Sequence, residues 1–124
     1  MIDHVSIAVS DLPSSERFYE AVLAPLGLTR LVSRETTVGF GKRYPEFWLN
    51  LRPAVIATAN PGGHICLRAA DEDAVRAFHR IATEQGAADE GAPGPRQGAM
   101  TAYFGAFIID RDGNKIEAVF FPEP

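Results

Sequence analysis

Two histidines and one glutamate stand at positions from which they could bind a single metal ion. His4 and His64 are 60 positions apart, and the same offset relates Asp11 to Asp71. Around the histidines the sequence reads HVSIAVSD and HICLRAAD, in each case a strand pattern that ends at a helix-capping aspartate. Duplicated units commonly pair about an approximate twofold axis, so that equivalent residues converge. With Glu117 late in the chain, the two imidazoles predict a metal site.

Each of these residues also has a purely structural interpretation. A histidine at the start of a strand is usually an edge residue with satisfied hydrogen bonds, and a glutamate in a strand usually faces solvent. The combination is more specific than its members, because two neutral imidazoles and one carboxylate are the ligand set of mononuclear iron(II) sites. Such a set leaves coordination positions open for a substrate or for water.

Composition is that of an ordinary globular domain and argues against several classes of function. The 124 residues are 46% hydrophobic and 23% charged, with a formal net charge of −4. Nucleic-acid binding needs a basic surface, so we expect no nucleic-acid partner. The apolar runs are too short for a membrane span, and the segment MIDHVSIAV lacks a signal-peptide pattern. With Cys66 as its one cysteine, the sequence fits a cytoplasmic protein without an internal disulfide.

Periodicity predicts a strand, a helix and three further strands, twice over. Residues 3–9 alternate with period two, and Asp11 caps a helix whose apolar stripe ends near Gly27. Three strand candidates follow, in TRLVSRE, TTVGFG and PEFWLNLR. The second half opens with the strand HICLRA and a helix that Asp71 caps and that stops near Gly86.

The end of the chain completes the second unit. The segment GAADEGAPGPRQGAM is rich in Gly, Pro and Ala and predicts a mobile loop or a short edge strand. TAYFGAFIID and NKIEAVFF predict two strands joined by a short Arg-Asp-Gly turn. Residues 1–124 are therefore expected to form one α+β domain: a βαβββ module at 1–55, a linker at 56–62 and a second βαβββ module at 63–124.

This layout resembles the vicinal oxygen chelate superfamily, which includes glyoxalase I, extradiol dioxygenases, fosfomycin-resistance transferases and bleomycin-resistance proteins. The resemblance covers nearly the whole chain and rests on HVSIAVSD, FYEAVLAPLGL, HICLRA and DRDGNKIEAV. It implies two curled mixed sheets around a central cavity that holds a divalent metal ion, with Fe, Mn, Zn or Ni as candidates. It also implies metal ligands at His4, His64 and Glu117. Asn50 then occupies a position where glyoxalase I normally has a glutamate.

The missing glutamate bears on the reaction. Glyoxalase chemistry moves a proton between neighbouring carbons, and a second carboxylate normally assists the transfer. We therefore expect a metal-dependent lyase, dioxygenase or transferase other than a typical glyoxalase I, with Glu117 as the candidate catalytic base. Asn50 could bind the ion weakly, orient a water, hydrogen-bond the substrate or simply fill space. His79 lies on the second helix and is expected to be a surface or packing residue.

Cationic side chains share strand parity with the candidate ligands. Arg52, Arg68 and Lys115 alternate in phase with Asn50, His64 and Glu117 on their own strands. If they line the concave faces, they would suit a small anionic, oxygen-bearing substrate. The alternative is that these long side chains extend to solvent at the strand ends.

Three uncharged side chains can likewise be interpreted either as functional residues or as packing residues. Trp48 shares parity with Asn50 and could stack on a substrate or fill the sheet face. Tyr103 could contact the substrate and donate a proton if it points inward. Cys66 shares parity with His64, but it is expected to be a small packing thiol rather than a nucleophile.

Two functions remain open at this level. One is a metal-dependent enzyme. The other is a metal-free protein that sequesters a drug or metabolite, as bleomycin-resistance proteins do; Trp48 and the aromatic YFGAF strand favour it. The resemblance further implies a homodimer, in which His4 of one chain could meet His64 and Glu117 of the other.

Overall fold

The computed structural model describes residues 1–53 and 62–122. It has the α+β class and the two successive βαβββ modules that the sequence predicts. The first module comprises β1 Val5–Val9, α1 Leu12–Leu23, β2 Thr29–Ser33, β3 Thr37–Gly41 and β4 Phe47–Leu51. The second comprises β5 Ile65–Arg68, α2 Glu72–Glu84, β6 Ala88–Gln97, β7 Ala102–Ile109 and β8 Lys115–Phe120. The predicted linker at 56–62 lies almost entirely outside the described residues.

The helices begin and end where the local chemistry predicts. Asp11 and Asp71 each accept a hydrogen bond from the backbone N–H three residues later, at 3.2 and 2.8 Å, and so cap the two helices. α1 continues into a 3-10 turn, Ala24–Leu26, which Gly27 ends at a φ of 82°. Gly86 follows α2 at a φ of 99°, a backbone conformation that suits glycine. In the described part of the chain, no helix is long and apolar enough to cross a membrane.

Each module forms one four-stranded mixed sheet. The strand orders are β1-β4-β3-β2 and β5-β8-β7-β6, with β1 parallel to β4 and β5 parallel to β8. Each helix packs on its own sheet and the two helices contact each other, so both modules share one hydrophobic core. Along β1 the core takes Ile7 and Val9, whereas Ser6 is exposed. The candidate ligand faces of the sheets are therefore the faces away from the helices.

One element is longer than the sequence indicates. The segment expected to be a loop or a short edge strand contains β6, a strand of ten residues. β6 is at the edge of its sheet and pairs only with β7, so Pro93 and Pro95 need not donate to a second neighbour. Register shifts on both sides of Gly91 absorb the irregular sequence. Apolar alternation is missing because most of the strand remains exposed or half-buried.

The turn between β7 and β8 joins the second module to the first. Asp110 accepts hydrogen bonds from the backbone N–H groups of Asp112 and Asn114, each at 2.9 Å. It also accepts a bond of 2.6 Å from the hydroxyl of Tyr19, which lies on α1. Asn114 donates its side-chain amide to the carbonyl of Ala8 in β1 at 2.9 Å. The turn thus contacts both the helix and the first strand of the other module.

These polar groups are buried, so the loss of one of their hydrogen bonds would lower the stability of the fold. Tyr19 is 0% exposed and Asp110 is 6% exposed. Desolvation, together with the negative charges of Asp110 and Asp112, raises the pKa of Tyr19 well above its ordinary value. The phenol therefore stays protonated and remains a donor. Asp112 in turn binds Ser10, whose hydroxyl and backbone N–H donate to it at 2.6 and 3.1 Å.

We expect Tyr19→Phe to lower the free energy of unfolding by about 2 kcal/mol, the range for a hydrogen bond to a charged group. The substitution leaves Asp110 Oδ2 with only the Asn114 amide, at 3.0 Å. Urea denaturation at neutral pH measures the change. Tyr44→Phe is the matched control, because its exposed hydroxyl also donates to a carboxylate, that of Asp3 at 3.0 Å. Its loss should stay below about 0.5 kcal/mol, and equal losses in both variants would contradict the role given to the buried bond.

Candidate functional site

β5 and β8 bring two of the predicted ligands together. The parallel pairing of these strands sets Glu117 beside Cys66, two residues after His64. His64 Nε2 lies 2.9 Å from Glu117 Oε1. Glu117 is 4% exposed, whereas the side chain of His64 keeps 39% of its exposure. The carboxylate is therefore enclosed and the imidazole stands at its open edge.

The second carboxylate oxygen of Glu117 is the unusual feature of this pair. Oε2 is buried and has no hydrogen-bond partner within residues 1–53 and 62–122. Leaving such an oxygen unpaired away from water is costly, so it calls for an explanation. Gly105 contributes to the space around it, since a Cβ at that position would lie 3.4 Å from Oε2.

The geometry of the pair fits part of a divalent metal site. When two ligand atoms each lie about 2.1 Å from the same ion and the ligand–ion–ligand angle is a right angle, the two atoms are about 3.0 Å apart. The observed separation of 2.9 Å between His64 Nε2 and Glu117 Oε1 is close to that spacing. The unpartnered Oε2 is a further donor on the same carboxylate. Imidazole and carboxylate are ligands that Fe, Mn, Zn and Ni all accept.

His4 directly precedes β1 of the first sheet and does not join this pair within one chain. Among the described residues, no group of three His, Cys, Asp or Glu side chains is placed to hold a metal. His4 Nδ1 lies 2.8 Å from Asp3 Oδ1, and the Tyr44 hydroxyl donates to Asp3 Oδ2 at 3.0 Å. These hydrogen bonds, from His4 first and then from Tyr44, lower the pKa of Asp3. A carboxylate on one ring nitrogen is the arrangement that orients many metal-binding histidines.

Strand register identifies the counterpart of Glu117 in the first module. Cys66 pairs with Glu117, and Ser6, its equivalent at the offset of 60, pairs with Trp48. Trp48 therefore occupies the position equivalent to Glu117, which corrects the assignment of Asn50 to that position by the family resemblance. Asn50 lies two residues farther along β4. The first module thus places an indole where the second places its carboxylate.

The other predicted residues of the first module lie along the same strand. Trp48 and Asn50 are half-buried, and the Trp48 ring packs over Gly39, where a Cβ would lie 3.0 Å from Cζ3. Arg52 is exposed and donates to the carbonyl of Leu51 at 2.7 Å. None of these three borders the cavity beside Glu117, so the sequence-predicted site divides between the two sheets.

A cavity of about 460 Å³ opens beside His64 and Glu117. Its walls come from β5, β7, β8 and the β6–β7 turn at residues 98–101. Apart from the candidate ligands, the lining is mainly apolar and includes Cys66, Met100, Tyr103, Phe107, Val119 and Phe121. A volume of this size with few polar groups is typical of small-molecule sites.

Cations stand at the margin of this cavity. Lys115 Nζ lies 4.9 Å from the ring centre of Phe107, and the guanidinium of Arg68 lies 4.8 Å from that of Phe121. Both aromatic rings line the cavity. Strand parity predicts that Lys115 and Arg68 share a face with the candidate ligands, and in the structure each lies beside an aromatic ring of the cavity wall. The cavity thus combines an apolar wall with positive charge at its edge.

The Glu117 carboxylate affects two neighbouring side chains. Burial and then the Glu117 charge raise the pKa of Tyr103, while Arg96, its cross-strand partner on β6, opposes the shift. Tyr103 is therefore protonated at neutral pH and can donate a hydrogen bond. Although the Cys66 residue is exposed, desolvation of its thiol and the Glu117 charge raise the pKa of Cys66 to about 12. A thiol with this pKa is not an activated nucleophile.

Several relevant residues were not singled out from the sequence. Asp3 could have been found, because it directly precedes His4. No local sequence pattern marks Tyr44 or Arg96. The fold alone brings Tyr44 to Asp3 and sets Arg96 opposite Tyr103. His79 lies outside the site, with Nε2 3.0 Å from a carboxylate oxygen on β6, as expected of a packing residue.

Comparisons with known proteins agree with this fold. The family model described as "Glyoxalase/Bleomycin resistance protein/Dioxygenase superfamily" matches residues 1–118. A glyoxalase/bleomycin resistance protein from Albidiferax ferrireducens T118 has a similar crystal structure, with 31% identity and a TM-score of 0.84 over 96% of this chain and 98% of that one. No curated protein matches the sequence.

More distant structures share the fold alone. The genomically encoded fosfomycin resistance protein FosX from Listeria monocytogenes is 14% identical, with a TM-score of 0.71 over 98% of this chain and 93% of that one. A glyoxalase-related enzyme from Fulvimarina pelagi is 16% identical, with a TM-score of 0.71 over 98% of this chain and 88% of that one. At these identities the similarity carries no information about substrate.

We expect Glu117→Gln to stabilise the metal-free protein by about 1 kcal/mol. Glutamine keeps an acceptor for His64 and removes a buried charge whose second oxygen is unpaired. Urea denaturation in the presence of a chelator measures the difference. Glu72→Gln is the control, because that exposed carboxylate lies 3.7 Å from Arg76 and should contribute less than about 0.5 kcal/mol. A Glu117→Gln protein that is less stable than wild type would contradict this account of the carboxylate.

Proposed function

Since the chain belongs to the glyoxalase/bleomycin resistance protein/dioxygenase superfamily, we propose that it is a divalent-metal-dependent enzyme acting on a small anionic, oxygen-bearing substrate. The observation that carries the proposal is the enclosed Glu117 carboxylate, which contacts His64 and keeps an unpartnered Oε2 beside a cavity of about 460 Å³. A group this costly to bury is commonly retained at a functional site, at the expense of stability.

We assign three ligands to the ion: His64 and Glu117 of one chain and His4 of a second copy in a homodimer. The contact between His64 and Glu117 supports the first two. His4 is exposed, and the Asp3 carboxylate occupies its Nδ1, so Nε2 remains available for a ligand. Because both ligand faces lie away from the packed helices, a second copy could approach them from outside.

The chemistry divides between the ion and the side chains around it. When bound, the ion would supply Lewis acidity toward a substrate oxygen. Tyr103 is protonated at neutral pH and would donate a hydrogen bond from its phenol to that substrate. Glu117 Oε2 would accept a proton if the reaction releases one, which is the role of a general base. Arg68 and Lys115 would attract the anionic group, and the apolar wall would exclude water.

The first module would complete the substrate site from the partner subunit. Trp48 and Asn50 lie half-buried on the face away from α1, where they could contact a substrate held at the metal. Arg52 is exposed near the end of the same strand and would add charge at the entrance. An indole, a neutral amide and a guanidinium suit a substrate with both an apolar part and an anionic group.

We expect the purified protein, without an affinity tag, to bind close to one equivalent of Fe, Mn, Zn or Ni per chain. Substituting His4 or His64 by Ala should weaken that binding by about 100-fold or more, because each substitution removes a ligand. Titration calorimetry and elemental analysis measure affinity and content. His79→Ala is the matched control, since that imidazole contacts Asp89 instead, and its metal content should match wild type. Less than about a tenth of an equivalent after reloading would overturn the metal assignment.

We expect mixed dimers to show whether two chains share the site. His4→Ala and His64→Ala homodimers should each lack metal, but a heterodimer of the two combines its undamaged residues into one intact site. Random mixing makes about half of the dimers heterodimers, and one of the two sites in each heterodimer is intact. About a quarter of the wild-type sites should therefore be restored. Elemental analysis of the remixed protein gives this fraction, and remixed His4→Ala protein alone serves as the control. No recovery in a protein that light scattering shows to have exchanged subunits would contradict the shared site.

The apolar lining of the cavity favours a second function, the metal-free binding of a drug or metabolite. Met100 and Phe107 both line the cavity, and Met100 is 95% exposed, so a ligand with an apolar body would have surface to cover. The same variants separate the two functions. If a ligand binds His4→Ala protein as tightly as it binds metal-loaded wild type, the binding function is supported. If its affinity collapses, the metal-dependent function is supported.

A further inference from the structure

A second cavity, of about 400 Å³, lies between α1, the end of α2 and the β7–β8 turn. Its lining includes Ser15, Arg17, Phe18, Gln85 and Arg111, and it shares no residue with the cavity beside Glu117. We propose that this cavity binds a small organic oxyanion, with an acidic head group and an apolar body. The proposal concerns a different part of the molecule from the proposed metal site and does not rest on it.

Two guanidinium groups provide the positive charge. Arg17 is exposed at the cavity and forms no ion pair or hydrogen bond with any described residue. Arg111 donates from Nη1 to the hydroxyl of Ser14 at 2.9 Å and lies 3.7 Å from a carboxylate oxygen of Asp11. These contacts hold Arg111 at the cavity while most of its donors remain available. Paired guanidinium groups suit the oxygens of a carboxylate or phosphate.

Ser15 adds a hydroxyl to the wall of this cavity. It is only 3% exposed, yet it lines the cavity, and its hydroxyl forms no hydrogen bond within the described part of the chain. The hydroxyl is not one of the buried unpartnered oxygens of the described residues, so it is accessible from the cavity and free to donate. An oxyanion between Arg17 and Arg111 would provide an acceptor for it.

Two carboxylates, Asp11 and Asp110, lie near these guanidinium groups, and both already have hydrogen-bond partners of their own. Asp110 also lines the cavity, but its oxygens already accept bonds from Tyr19, from the backbone N–H groups of Asp112 and Asn114, and from the Asn114 amide. Four donors thus stabilise that carboxylate.

Size and lining favour an organic anion over an inorganic one. A volume of about 400 Å³ is in the range of small-molecule sites and is far more than a phosphate ion alone would fill. Phe18 is half-buried on the wall and offers an apolar surface, and the Gln85 side chain offers an amide at the end of α2. An aromatic or alkyl body would pack on Phe18 while the head group meets the arginines.

Titration of the full chain with phenyl phosphate and with benzoate, followed by amide chemical shifts, tests the proposal. We expect shifts around residues 14–18, 85–87 and 110–111, with an affinity that falls about tenfold or more in Arg17→Gln and Arg111→Gln. Arg43→Gln is the matched control, because it removes the same charge from an exposed position outside both cavities. Ser15→Ala should weaken binding several-fold, and the probe that binds better identifies the preferred head group.

The proposal is overturned if neither probe binds at millimolar concentration, or if Arg17→Gln and Arg43→Gln have equal effects. Metal content measured on the same samples keeps this outcome separate from the proposed function. Arg17→Gln should leave it unchanged, because Arg17 lies at the other cavity.

Discussion

The hydrogen-bonded turn between β7 and β8 is the constraint on which the rest of the fold depends. Asp110 and Asp112 are both nearly buried, and their oxygens accept bonds from Tyr19 and Ser10 in the first module. Carboxylates enclosed in this way tolerate few alternative positions, since each lost donor would leave a charge unpaired. The turn therefore fixes where β8 begins relative to the first module. Because Glu117 is the third residue of β8, the same contacts determine where the candidate site lies.

The packing of the two helices then determines which faces of the two sheets remain uncovered. The two helices contact each other and each covers one face of its own sheet, so the opposite faces carry the polar and reactive side chains. Within one chain this separates His4 from His64 and Glu117. The register partners of Glu117 on β5 and β7 are Cys66 and Phe107, of which the first is a weak donor and the second none, so neither pairs its second oxygen. Within one chain, His64 and Glu117 thus form a pair that is open on the side of the cavity.

Much of the fold could be predicted from the sequence because local signals were strong. Alternation identified the strands, and Asp11 and Asp71 identified both helix starts, since capping depends only on nearby backbone groups. β6 was missed as a full strand because an exposed edge strand needs no apolar alternation and tolerates proline. The family resemblance implies that His64 and Glu117 lie together, and the parallel pairing of β5 and β8 produces their contact in the structure. The position of Arg96 opposite Tyr103 depends on a strand register that no local pattern reveals.

The two modules have kept their fold and diverged in chemistry. Register equates Trp48 with Glu117, so one half presents an indole where the other presents a carboxylate. The histidines also differ, because His4 has Asp3 as its neighbour, whereas His64 contacts Glu117 itself. A pair of identical modules would bring two carboxylates to one axis, and their repulsion would oppose pairing unless an ion were bound. In the homodimer proposed above, a single carboxylate opposed by an aromatic surface would avoid that repulsion. Such an arrangement would leave one side of the proposed site for an ion and the other for an organic substrate.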